Sequence, residues 1–218
     1  MAPKHLHFAI RAAGVIATGC FIAKRISEYD HFALKPLWAV ETLIFVALLA
    51  AFWTRVEPVA RSRGVREIVI PLIGAILPFA LLFQPPHPAI TASPIRVQGI
   101  FWAMTFATAL SVWGFWALRR SFSITVEARE LIDRGPYRWV RHPVYAGEIL
   151  SATVVVAWRF SALNLAILIA FIAIQLTRAH WEEKKLAAHL PGYAEFAART
   201  WWLWTAARAQ TGKPNNPG

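Results

Sequence analysis

Six apolar stretches constrain this chain more than any other feature: residues 7–23, 36–53, 68–83, 100–118, 144–158 and 165–176. The first four are each near the ~20 residues that a helical bilayer span needs. The third carries Pro71 and Pro78, seven apart and so nearly on one helical face, where they are expected to bend the helix. The last two are shorter and are separated by Arg159, Ser161 and Asn164. They read as a helical hairpin whose second arm runs on into the polar residues 177–190. The expected fold is therefore all-α: a polytopic integral membrane bundle of four spans plus a C-terminal hairpin. No GxG triplet occurs in the sequence, so a Rossmann domain is not expected.

Composition supports a membrane setting. Charged residues make up 16% of the 218, against the ~25% usual in soluble domains. Eleven tryptophans suit the interfaces where indole rings anchor. The net charge of +11 comes from loop arginines, which suits head-group contact and orientation in a membrane better than nucleic acid. A single cysteine, Cys20, excludes an internal disulfide. The first apolar stretch reads as a retained helix rather than a cleaved signal.

The loops assign the sides. Residues 54–67 carry Arg55, Arg61, Arg63 and Arg66, and residues 119–142 carry six more arginines. Residues 84–96, on the opposite side, carry Arg96 alone. The positive-inside rule makes the first two loops cytoplasmic. Three regions follow: N-terminal transmembrane helices over 1–118, a cofactor-binding and catalytic region over 119–205, and a polar, disordered tail over 206–218.

Two segments carry chemistry. In RHPVYAG, residues 141–147, His142 precedes a proline and is pushed toward an extended backbone, so a helix is expected to start at about Pro143. Its free N–H groups, from Val144 onward, suit a carboxylate or phosphate. On composition alone the stretch reads equally well as a basic juxtamembrane loop with an ordinary helix start. The second segment is QLTRAHWEEKKL, residues 175–186. Gln175, Arg178 and Glu182 share nearly one face, a polar stripe that suggests a cavity wall. The competing reading is a solvated, charged helix; on either reading Lys185, one turn beyond Glu182, is expected to face water or head groups. The His5–His7 pair lacks a third ligand nearby, and no metal is expected. Arg11, Glu41 and Glu148 fall inside apolar stretches, where charges are either paired or functional. The run 201–204 is expected to lie in the membrane interface.

GPYRWVRHPVYAG, followed about forty residues later by RxxxEE and then GYxxF, resembles the isoprenylcysteine carboxyl methyltransferase family. That family belongs to a wider group of membrane methyltransferases that includes the phospholipid N-methyltransferases. The likeness covers roughly 121–199. It implies an S-adenosylmethionine-dependent enzyme with its site on the cytoplasmic side, and the richness in Ala, Arg, Pro and Trp points to a bacterial inner membrane. The implied cofactor positions are Tyr137, Arg138, His142, Pro143, Tyr145, Gly147, Glu182 and Glu183, beside Val144 from the helix start. Arg178 and Glu182 match the pair placed near methyl transfer. The implied acceptor is lipophilic, first an isoprenylcysteine-like carboxylate held by Arg178. The alternatives are a phospholipid amine, with Glu182 as base, or a lipophilic thiol. Glu148 departs from the family, which is usually apolar there. An NADPH-dependent sterol reductase and a non-catalytic scaffold are the competing classes. The partners implied are the lipidated substrate and membrane lipids, and no nucleic acid.

Overall fold

The computed structural model describes residues 4–31, 34–54, 58–60, 62, 64–122, 125–127 and 130–203. The tail at 206–218, and Arg55, Arg61, Arg63, Arg129 and Trp204, lie outside the described residues, as do the side chains of His5, His7 and Arg11. Regular structure among the described residues is helical: α1 Lys4–Ser27, α2 Lys35–Thr54, α3 Arg66–Ile76, α4 Pro88–Thr91, α5 Pro94–Leu118, α6 Pro143–Trp158, α7 Ala162–His189 and α8 Tyr193–Arg199. Three stretches, Arg66–Phe83, Pro94–Leu118 and Ala162–His189, are long and apolar enough to cross a membrane, and Pro143–Trp158 is apolar but shorter. Large apolar side chains such as Phe79, Phe83, Phe106 and Ile169 stand exposed on the outer surface. In water such a surface would aggregate; in lipid it is solvated.

Among the described residues, Glu41 and Glu148, the acids inside apolar stretches, have partners. Glu41 of α2 takes an ion pair from Arg25 of α1 at 2.6 Å. The Trp38 indole donates to the Arg25 carbonyl at 2.7 Å, and Phe21 stacks on Phe45. Together these clamp α1 to α2.

Two helix boundaries differ from expectation for local reasons. The α5 helix begins at Pro94 rather than near residue 100. Ser93 is extended, and Pro94 occupies the first turn, where a missing N–H costs nothing. Arg96 turns back to donate to the Ala89 carbonyl at 2.7 Å, which ties the added turn to α4. The third apolar stretch tightens instead of bending as one α-helix: α3 passes at Leu77 into a 3-10 helix over Leu77–Phe83. Pro78 has no N–H to give to the Gly74 carbonyl, which favours the shift in pairing.

The polar residues between α6 and α7 close a turn. The Ser161 hydroxyl accepts from the Asn164 N–H at 3.0 Å and caps α7. The fully buried Asn164 amide donates to the Leu81 and Arg159 carbonyls, at 3.1 and 2.7 Å. Arg159 donates to the Gln84 carbonyl, so the chain between α3 and α5 is tied to the same corner.

Packing of α5 on α6 is close because glycine permits it. A Cβ on Gly114 would meet Val144 Cγ2 at 2.7 Å, and one on Gly147 would overlap Ser111 Oγ. This contact fixes the start of α6 against the last turns of α5, and the candidate site forms there.

Candidate active site

The loop from α5 to α6 is folded back by a left-handed residue. Gly135 sits at φ +56°, and a Cβ there would meet Ala117 at 3.1 Å, so a side chain is excluded by both conformation and space. A 3-10 turn over Gly135–Arg138 follows and buries Pro136 and Tyr137. Burial, with the charges of Glu182 and Glu148 behind it, holds the Tyr137 hydroxyl well above its ordinary pKa. The next residues pair with a strap formed by residues 200–203, after α8. The Trp201 N–H donates to the Trp139 carbonyl at 2.7 Å, and the Arg141 N–H to the Trp201 carbonyl at 3.1 Å. The strap is therefore bound to the loop, and Trp202 is buried with its ring edge against His142.

His142 lies outside the helical region but is not fully extended, at φ −130° and ψ 60°, and α6 starts at Pro143. From there α6 and α7 face each other antiparallel through a ladder of polar side chains. His142 Nε2 lies 3.0 Å from Glu183 Oε1. Arg141 Nε donates to that same oxygen at 2.8 Å, and its Nη1 donates to the Ala197 carbonyl at 2.8 Å. One step on, the Tyr145 hydroxyl donates to Glu182. The Arg178 guanidinium lies over the Tyr145 ring, 4.8 Å from its centroid, and its Nη1 donates to Gln175 Oε1 at 2.8 Å. The Gln175 amide nitrogen then donates to Glu148. The i, i+3 spacing of 142, 145 and 148 on α6 sets this register against 183, 182, 178 and 175 on α7.

Glycine brings a third helix to the ladder. A Cβ on Gly74 of α3 would lie 3.7 Å from both Arg178 Nη1 and Gln175 Oε1 and 2.8 Å from Ile174. Lys185 departs from expectation. It is buried, and its ammonium pairs with Glu67 at the start of α3 and donates to the Val126 carbonyl at 2.7 Å. The long α7 carries this face past the apolar region to the loop between α5 and α6, so the lysine meets protein rather than head groups.

The ladder borders a cavity of about 500 Å³. At one end the wall is polar and includes Tyr137, Arg141, His142, Tyr145, Glu148, Arg178 and Glu182. Toward the other end it is apolar, with Leu81, Ala152, Val155 and Phe171. Small-molecule sites are of this size and show this mixture of apolar wall and few polar groups.

The structure separates the residues that the sequence singled out. Tyr137, His142, Val144, Tyr145, Arg178 and Glu182 line the cavity. Pro143, Gly147 and Glu183 are buried but are not part of its lining: Gly147 makes the α5 contact, and Glu183 holds Arg141 and His142. Arg138 is exposed and does not line the cavity. Arg141 takes the inward place instead, since the turn ending at Arg138 faces outward and the pairing with Trp201 turns Arg141 in. Ser111, Thr108 and Phe122 line the cavity without any signal in the motifs. Only the period of α5 against α6 could have shown the first two.

Residues 99–188 match the model of the isoprenylcysteine carboxyl methyltransferase (ICMT) family. No curated protein and no solved structure gives a significant match to the chain. The matched segment holds α6, the polar ladder and nearly all of α7, and its apolar helices make this an integral membrane protein. Over these residues the chain is similar to the isoprenylcysteine carboxyl methyltransferase family, a family of methyltransferases.

Proposed function

We propose that this protein transfers a methyl group from S-adenosylmethionine to a lipophilic acceptor at the polar end of the cavity. The observation that carries this reading is the continuity of one cavity from the Arg178–Glu182 wall to the apolar wall of Leu81 and Phe171. A water-borne, charged donor and a lipid-borne acceptor need these two ends in contact.

The residues present fit the donor. S-adenosylmethionine bears a carboxylate, an ammonium and a sulfonium, and the polar wall offers both signs of charge on adjacent residues. When bound, it supplies an activated methyl group. Glu182, oriented by the Tyr145 hydroxyl, would hold a positive group. The first-turn N–H groups of α6, at Val144 and Tyr145, would receive a carboxylate. Arg141, His142 and Glu183 tie that helix start to α7 and α8, which keeps those N–H groups aimed. Arg178, fixed by Gln175 and the Tyr145 ring, stands at the cavity wall to orient the acceptor. Positioning and exclusion of water supply most of the rate in such a displacement. The family name points to an isoprenylcysteine carboxylate as the first acceptor to assay.

The arginines of residues 54–67 and 119–142 favour a cytoplasmic side for this end under the positive-inside rule, and the donor is made in the cytoplasm. The test is radiolabelled methyl transfer by the purified protein to farnesylcysteine derivatives, phosphatidylethanolamine and small lipophilic thiols. Incorporation into at least one lipophilic acceptor is expected, and it should fall at least ~100-fold in Glu182→Gln with the fold kept. Transfer only to water-soluble acceptors would remove the lipid from this reading.

A further inference from the structure

The charges around the cavity are unequal in number. Among the described residues, four carboxylates line it, those of Glu127, Glu130, Glu148 and Glu182, against the two guanidiniums of Arg141 and Arg178. Arg141 is joined to Glu183, which lies outside the lining. Of the four acids, Glu148 stands where the acceptor matters. It is one turn beyond Tyr145 on α6, and Ala152 and Val155 form the wall on the next turns. A lipid whose tail lies along that apolar wall brings its head group to Glu148.

Gln175 keeps the carboxylate in place. It is 1% exposed, donates to Glu148 through its amide nitrogen and accepts from Arg178 through its oxygen at 2.8 Å. Both ends of the amide are used, so Glu148 and Arg178 are held at a set separation. A carboxylate head group drawn to Arg178 would meet Glu148 and Glu182 as well. An ammonium would meet two carboxylates and one guanidinium. Like charge facing a ligand in a poorly hydrated cavity is an effective means of rejection.

We propose that Glu148 makes this cavity select a lipophilic amine, arriving as an ammonium ion, over a lipophilic carboxylate. The proposal rests on the methyltransferase reading and narrows its acceptor. The chemistry balances. The Glu148 carboxylate takes a proton from the ammonium and leaves a neutral amine. The amine nitrogen forms the new N–C bond as the donor's S–C bond breaks, and the electron pair of that bond stays on sulfur. The product is a methylated ammonium, and Glu148 returns its proton to water.

The test is binding, read from tryptophan fluorescence of the full-length protein in a neutral maltoside detergent. The probes are dodecyltrimethylammonium, which cannot accept a methyl group, and dodecanoate, compared at equal micellar fraction. The wild type is expected to bind the ammonium at least about tenfold more tightly than the carboxylate. In a Glu148→Gln variant that unfolds at the wild-type temperature, the preference should shrink to about threefold or less. Equal or tighter binding of dodecanoate by the wild type overturns the proposal without any variant. So does a preference that survives unchanged in the folded Glu148→Gln protein. S-adenosylmethionine is titrated into the same preparation: failure to bind it counts against the methyltransferase reading, whereas donor binding with a carboxylate preference sinks the amine proposal alone.

Discussion

His142 and Glu183 are joined across α6 and α7 by a 3.0 Å contact to one carboxylate oxygen, and that oxygen also receives Arg141 Nε at 2.8 Å. Glu183 therefore acts on the site through other residues. Its side chain is 7% exposed and that of Arg141 2%. Replacing one member leaves the other charge buried, which costs about 3–5 kcal/mol. Glu183→Gln is expected to lose about 3 kcal/mol in denaturant unfolding in detergent. A loss within a few tenths of a kcal/mol would mean that the cluster is solvated.

The role of Gly147 is equally specific. A Cβ there would meet the Ser111 backbone nitrogen at 2.8 Å as well as its hydroxyl, so the α5–α6 contact must open. Gly147→Ala should destabilise by about 1–3 kcal/mol. Gly19, inside α1, has nothing within 4 Å of a built Cβ, and Gly19→Ala should stabilise by about 1 kcal/mol. Unfolding midpoints of the two variants that move in the same direction would contradict this assignment.

Lys185 joins three parts of the chain: its own helix, Glu67 of α3 and the Val126 carbonyl. The Val126 N–H donates in turn to the Glu67 carbonyl at 3.3 Å. With the side chains 10% and 21% exposed, the pair is screened in part. A double-mutant cycle of Lys185→Met and Glu67→Gln should give a coupling of about 1–2 kcal/mol. Additive effects would place Lys185 in water after all.

Tyr193 provides a pH test. Its hydroxyl is buried and has no hydrogen-bond partner among the described residues. Burial first, then the charge of Glu183, pushes its pKa above the ordinary value, with Arg141 in partial opposition. A raised folded-state value means that the contribution to stability is complete below about pH 10, the unfolded value, and is lost as pH rises beyond it. Tyr193→Phe should match the wild type at pH 7 and keep more of its stability above pH 10. Parallel alkaline unfolding curves for the two proteins would refute this.

Local signals in the sequence account for part of this architecture. The His142-Pro143 step marks the start of α6, and the spacing of Gln175, Arg178 and Glu182 puts them on one face of α7, beside the cavity. Distinguishing Arg138 from Arg141 needs more than local pattern. Both are loop arginines, and only the pairing of Trp201 with residues 139 and 141, sixty residues apart in the chain, turns one outward and the other in. The burial of Lys185 depends likewise on α3, 118 residues away. Gly147 matches a cofactor position by resemblance, yet its immediate contact is helix packing, because a missing side chain is equally useful to either purpose.

A calorimetric titration of the purified protein with S-adenosylmethionine decides whether the polar wall of Tyr145, Arg178 and Glu182 receives a sulfonium methyl donor. One equivalent should bind the wild type, at least about tenfold more weakly to Glu182→Gln, and NADPH should give no heat of binding. A folded wild type that binds no S-adenosylmethionine, or that binds NADPH in its place, would rule out a donor site at this wall.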